Sequence, residues 1–229
     1  MIEFIFLDLD DTILDFRWAE RQAITRTLSE ADIEPTEEVR DLYRRINWEH
    51  WLRMERGELT REELKVRRFE ALLQQLNREG DALAMSDRYL EYLGQGHCFL
   101  PGALETLQTL AQNYRLFLVT NGNPPVQYSR LASAGISHYF EKIFISMEIG
   151  FHKPQKEFFD HCFSEIPGFS RERSIIVGDS LSSDIQGGIN AGITTCWINY
   201  HGRPARDDIQ PDYRIDELPQ LLPILTEIK

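Results

Sequence analysis

Apolar residues cluster in short unbroken runs that close on polar ones. From Ile2 to Leu9 the chain reads IEFIFLDL, rich in β-favouring types and running straight into acidic residues. Such a run predicts a strand buried on both faces, with carboxylates delivered at its C-terminal end. Four more runs follow the same plan: Leu116 to Val119 before Thr120 and Asn121, Ile143 to Ile145, Ser174 to Val177 before Gly178 and Asp179, and Thr194 to Ile198. Between them the spacing is helical, as in Ala103, Leu104, Leu107 and Leu110 after Pro101, and in the stretch from Gln155 to Phe163. Strands alternating with helices predict an α/β fold: a Rossmann-like parallel sheet with helices on both faces.

One interval breaks the alternation. From Phe16 to Gly96 the apolar spacing is helical throughout, through Phe16, Ala19, Ala23, Ile24 and Leu28, then Val39, Leu42, Tyr43 and Ile46, then Leu64, Phe69, Leu72, Leu73 and Leu76. Thr36 is placed to cap the second of these helices, and Thr60 with Glu63 forms a capping box for the third. The expected organisation is therefore a core of residues 1–15 and 97–229, with a helical cap domain, residues 16–96, inserted after the first strand. Gly94 and Gly96 are the natural hinges.

Composition narrows the function. With 25 Lys and Arg against 37 Asp and Glu, the chain carries a net charge of -12, which repels a phosphate backbone and argues against nucleic-acid binding. A small anionic substrate remains open, because a bound cation or a local set of donors overrides that field at short range. Three widely spaced cysteines, Cys98, Cys162 and Cys196, suggest neither a disulfide framework nor a zinc site. No apolar run reaches the length of a membrane span, and Glu3 and Asp8 precede the first basic residue, Arg17, so the expectation is a cytoplasmic protein with no membrane partner.

The polar residues at the strand ends carry the candidate chemistry. Asp8 and Asp10, in Asp8-Leu9-Asp10-Asp11-Thr12, are carboxylates close enough to need a cation or a shared proton, and magnesium satisfies that need. Thr120-Asn121-Gly122 offers a hydroxyl, an amide and a pliant backbone, all able to donate to phosphate oxygens. Lys153, in Gly-Phe-His-Lys-Pro, reads by itself as a solvated surface lysine. Gly178-Asp179-Ser180 and Asp184 could complete the oxygen shell of a hard cation. In parallel sheets ligands gather at the C-terminal edge, and three of these four motifs fall there.

In this order the motifs resemble the haloacid dehalogenase-like hydrolase superfamily, whose pattern is DxDx(T/V), then Ser or Thr, then Lys, then GDxxxxD. The positions are filled here by Asp8, Asp10 and Thr12, by Thr120, by Lys153, and by Asp179 and Asp184. The string LDLDDTILDF with Glu20, the TNG, and Gln127 with Arg130-Leu131 resemble the branch of house-cleaning pyrimidine nucleotidases. The resemblance implies a magnesium-dependent phosphomonoester hydrolase acting through an aspartyl-phosphate on nucleoside 5'-monophosphates. It implies Asp8 as nucleophile and Asp10 as acid and base, with magnesium on Asp8, the Asp10 backbone carbonyl and Asp179. Thr120, Asn121, Gly122 and Lys153 would bind the phosphoryl group, supported by Thr12 and Asp184, with Asp184 near the metal or orienting Lys153. Asp11 is read as the cap of the adjacent turn.

Substrate choice is expected from the insert, where Trp18, Trp48, Trp51 and Arg53 offer stacking and charge. The alternatives are a sugar-phosphate or phosphoglycolate phosphatase, then a phosphomutase, a dehalogenase or a non-enzymatic binding protein. A dehalogenase does not require the acid/base residue Asp10, and a binding protein would be expected to have lost part of the charged set. Whether the chain is a monomer or a dimer is left open.

Overall fold

The computed structural model describes residues 1–228, and of Glu55 only the backbone. The chain divides into two compact units, Met1–Phe16 with His97–Lys229, and Arg17–Gly96. No helix among the described residues is long and apolar enough to cross a membrane.

In the first unit, strand β1 (Phe4–Leu7) opens the chain and helix α1 (Phe16–Glu30) leads out of it. The second unit continues with α2 (Glu37–Glu55), α3 (Arg61–Gln75) and α4 (Ala82–Gln95). Returning to the first unit, the order is α5 (Ala103–Asn113), β2 (Arg115–Thr120), α6 (Pro124–Ala134), β3 (Lys142–Ile145), α7 (Ser146–Ile149), α8 (Lys156–Ser164) and β4 (Ser174–Gly178). A π-helical turn, Leu181–Ile185, then runs into α9 (Gln186–Ala191), followed by β5 (Thr194–Ile198), β6 (Tyr213–Ile215) and α10 (Leu221–Glu227).

The six strands form one parallel sheet in the order β3-β2-β1-β4-β5-β6, with β1 in the interior between β2 and β4. Successive residues of a strand face opposite ways, and the two faces have different chemistry. Ile5 and Leu7 join Leu116, Leu118, Ile175, Val177, Cys196 and Ile198 in an aliphatic layer closed by Leu107 and Leu110 of α5, Leu131 of α6 and Leu221 of α10. Phe4 and Phe6 face the other way, with Phe117, Val119, Phe144 and Ile176, against Phe158, Phe159 and Phe163 of α8. Each such fully buried side chain contributes roughly 1.5–3 kcal/mol. Register is therefore fixed, since a one-residue slip would exchange the two layers.

Several elements were not read from the apolar pattern, among them α4, α7, α10, β6 and α6. Strand β6 is three residues on the sheet edge, too short for a periodic signal. Helix α6 starts with Pro124 and Pro125 after Asn123, whose side chain caps Val126, and its buried face includes the polar Gln127 and Arg130, which interrupt the apolar period.

The helical unit holds its caps as the sequence implies. Thr36 accepts from Val39 N at 3.4 Å, and Thr60 and Glu63 cap each other's backbone N–H at 3.2 and 2.9 Å. Its core is aromatic and partly polar: the rings of Tyr43, Phe69 and Tyr89 lie 5.2–5.7 Å apart, and the Arg68 guanidinium stacks over Tyr89 at 4.6 Å. Arg68 donates to Asn47, which donates to Glu20 at 2.6 Å, so the buried cation is hydrogen-bonded. The tryptophans singled out from sequence lie elsewhere. Trp18 and Trp48 are 40% and 51% exposed, and Trp51 is stacked by Arg61 at 5.2 Å.

Candidate active site

The carboxyl ends of β1, β2 and β4 converge, and the loop before α8 joins them. Asp8 follows β1 directly, and its N–H still donates to Val177 O at 3.0 Å, so the sheet ladder itself fixes the start of the side chain. Asp184 comes from the π-helical turn after β4. Its Oδ2 accepts from Ser180 N at 3.1 Å, and a Cβ on Gly178 would fall 2.2 Å from its Cγ, so that carboxylate fits only against a glycine.

Lys153 is where sequence alone misleads: it is 1% exposed, not a solvated surface lysine. Its ammonium donates to Asp8 Oδ1 at 2.7 Å, Val119 O at 2.8 Å and Asp184 Oδ1 at 2.6 Å, three acceptors for three protons. The backbone beneath is clamped by Asn121, whose amide donates to Lys153 O at 2.9 Å and accepts from Lys153 N at 3.0 Å. Asn121 is thus occupied in placing the lysine.

Thr120 ends β2. Its Oγ1 accepts from Gly122 N at 3.0 Å and from Gln127 Nε2 at 2.8 Å, which uses both lone pairs and leaves its own O–H to donate. Gly122 is required because a Cβ there would lie 2.2 Å from Gln127 Nε2. Gln127 Nε2 also donates to Asp10 Oδ2 at 2.8 Å, and Arg130 holds Asp10 Oδ1. The Asp10 side chain is therefore held by α6.

Asp11 adopts a left-handed backbone (φ 55°), and its Oδ1 accepts from Phe16 N at 3.0 Å at the start of α1. It also meets His201 Nε2 at 3.1 Å and Arg203 at 3.2 Å. Arg203 binds Asp179 Oδ2 at 2.5 Å as well, while the Asp179 carbonyl accepts from Trp197 Nε1 at 2.8 Å. Thr12 is fully buried, and its hydroxyl has no hydrogen-bond partner among the described residues.

The electrostatics follow from burial. Burial lifts the Asp8 carboxyl to about 7, with the Lys153 ammonium only partly opposing it. Asp179 is pushed well above the usual carboxylate range by burial, against the pull of Arg203. Burial would depress Lys153, but the adjoining Asp184 and Asp8 outweigh it and hold the ammonium above its ordinary value. Burial acts upward on Asp11 too, yet His201, Arg203 and the Phe16 N–H together hold it low.

One oxygen each from Asp8, Asp179 and Asp184 lie within 4.8 Å of one another. An all-oxygen set of carboxylates, in which burial disfavours the ionisation of Asp8 and Asp179, fits a hard divalent cation, whose charge reverses that penalty.

The loop after β5 was missed as a contributor, and Gln127 and Arg130 on the inner face of α6 were noted for the branch they resemble but given no role in the site. Asn199, His201 and Arg203 follow a buried strand as polar residues, the same signal that marks Asp8 and Asp179. Gln127 and Arg130 are polar residues three apart beside the buried Val126 and Leu131. A polar pair on an otherwise apolar helix face was the available sign.

Carboxylates gathered by a lysine at the C-terminal edge of a parallel sheet make a candidate site, and comparison with known sequences fixes the class of protein. The family model for haloacid dehalogenase-like hydrolase matches residues 2–192, and the chain belongs to that family. HAD-hydrolase YfnB of Bacillus subtilis is 40% identical, covering 96% of this chain and 94% of its own. Pyrimidine 5'-nucleotidase PynA of Streptococcus pneumoniae is 37% identical (97% and 94% covered), and pyrimidine 5'-nucleotidase YjjG of Escherichia coli is 32% identical (97% of each). The crystal structure of YfnB bound to magnesium matches this fold with a TM-score of 0.94, at 39% identity over 98% of each chain.

Proposed function

We propose that this hydrolase is a magnesium-dependent phosphomonoesterase of the cytoplasm that works through an aspartyl-phosphate on Asp8, with pyrimidine nucleoside 5'-monophosphates as substrates. The observation that carries the chemistry is the Lys153 ammonium seated between Asp8 and Asp184, beside a Thr120 hydroxyl with only its proton left to give. A nucleophilic carboxylate, a fixed cation and a forced donor suit a phosphoryl group. The nucleotide preference is supported by the two nucleotidases that match nearly the whole chain.

Asp8 attacks phosphorus as the bond to the leaving oxygen breaks, and the Asp10 carboxyl gives that oxygen its proton, releasing the alcohol. Asp10, now a carboxylate, takes a proton from water as the water oxygen attacks the aspartyl-phosphate; orthophosphate leaves and Asp8 is restored. Thr120 donates to a phosphoryl oxygen, and Lys153 exchanges one of its acceptors for another. The Gly122 N–H is already committed to Thr120, so its part is to aim that hydroxyl. Magnesium, held by Asp8, Asp179 and the Asp10 carbonyl, with Asp184 close by, would neutralise the charge that keeps an anionic nucleophile from an anionic substrate.

The test is phosphate release from thymidine, uridine and deoxyuridine monophosphates beside phosphoglycolate, glucose 6-phosphate and an acylneuraminate phosphate at saturating magnesium. A pyrimidine nucleotide should lead in kcat/KM. A sugar phosphate winning by more than about tenfold, roughly 1.4 kcal/mol of discrimination, overturns the nucleotide preference. Full activity in excess chelator overturns the metal dependence.

A further inference from the structure

The Arg130 side chain is fully buried and pairs with Asp10, whose side chain is 28% exposed. Arg130 Nη1 meets Asp10 Oδ1 and also donates to Gln127 Oε1 at 3.2 Å. Gln127 gives one amide proton to Asp10 Oδ2 and the other to Thr120 Oγ1, both at 2.8 Å. Each oxygen of the carboxylate is thus gripped from the protein side by a different residue of α6, three positions apart on one helical face. The same glutamine turns the Thr120 hydroxyl outward.

We infer that Arg130 and Gln127 are positioning residues: they fix the plane of the Asp10 carboxyl so that its proton is presented to the leaving oxygen, in register with the Thr120 donor. This inference rests on the phosphatase reading above. Burying an arginine is costly unless it is paired, and the pairing here includes the acid/base group. A rigid bidentate hold also suits a group that must serve twice, first as acid and then as base, without changing place. Gly122 belongs to the same device, since any side chain there would displace Gln127.

A purely structural role and a positioning role differ in one readout. kcat/KM reports the steps up to departure of the leaving group. An alkyl phosphate such as a nucleoside monophosphate needs a proton on its leaving oxygen, whereas p-nitrophenyl phosphate leaves as a stable phenolate without one. Arg130→Met should lower kcat/KM for thymidine monophosphate by on the order of a hundredfold or more, the usual share of acid catalysis. For p-nitrophenyl phosphate the loss should be at least about tenfold smaller. Arg130→Lys, which keeps the cation, should recover part of the difference. Gln127→Met, which removes both amide donors at similar bulk, should show the same split between the esters, and it carries the test where Arg130→Met does not fold. Equal losses on both esters, or no loss on either, overturn the positioning role. A wild-type enzyme inactive on both esters overturns the phosphatase reading itself, which separates the two failures.

Discussion

Replacing Asp8 by asparagine tests whether burial sets the ionisation of that residue in the metal-free protein. The unfolded chain loses the Asp8 proton near 3.8, and the folded chain only near 7, because burial outweighs the attraction of Lys153. Between those values the folded state holds the extra proton, so this group makes the protein less stable as pH rises. The direction is opposite to that of a well-paired surface aspartate. At about 1.36 kcal/mol per pH unit the whole window amounts to about 4 kcal/mol, of which about 2–3 kcal/mol falls between about pH 5 and about pH 7.5. Asparagine has nearly the shape of the protonated acid and never ionises. Urea unfolding in a chelator, run on both proteins at both pH values, should show Asp8→Asn gaining about 2–3 kcal/mol relative to wild type on going to the higher pH. Asp11 titrates in both proteins and cancels to first order, and the loss of the Asp8 charge, which helps raise Asp179, acts in the same direction as the gain. Magnesium should stabilise wild type more than the variant and remove most of the gain. A difference between the two proteins that is the same at both pH values would refute the reasoning.

Three further outcomes follow from the same contacts. Lys153→Met leaves Asp8 and Asp184 facing each other without their cation, and should cost roughly 3–5 kcal/mol of stability and at least about a hundredfold in kcat; urea midpoints and steady-state rates check both. Gly178→Ala puts a Cβ 2.2 Å from Asp184 Cγ, so that carboxylate must move off Lys153, and an overpacking loss of about 1–3 kcal/mol with reduced kcat is expected in thermal melts and assays. Asp11 is held low by His201 and Arg203 against its burial, so its contribution is present above the ordinary value of 3.8 and fades as pH falls through its folded value. Asp11→Asn should therefore destabilise the protein by about 1–3 kcal/mol near neutrality and converge with wild type in acid.

The sequence by itself determined five of the six strands. Runs such as FIFL and SIIVG admit only a strand buried on both faces, and each hands the chain to acidic or hydroxyl residues at its end, so Asp8, Thr120 and Asp179 could be placed at one edge before any coordinates. The capped helices around Thr36 and Thr60 were legible for the same reason, since capping is a local contract between residues three apart. What the tertiary structure alone decided is who meets whom. Lys153 stands 145 residues from Asp8, and nothing local distinguishes it from a solvated lysine until the sheet brings Val119, Asp8 and Asp184 around its ammonium. Arg130 and Gln127 lie about 120 positions from Asp10, yet each holds one of its carboxylate oxygens. Periodicity and capping are written in neighbours along the chain, whereas the ionisation of a buried acid depends on desolvation and on charges a few ångströms away. Those distances exist only once the strands have paired.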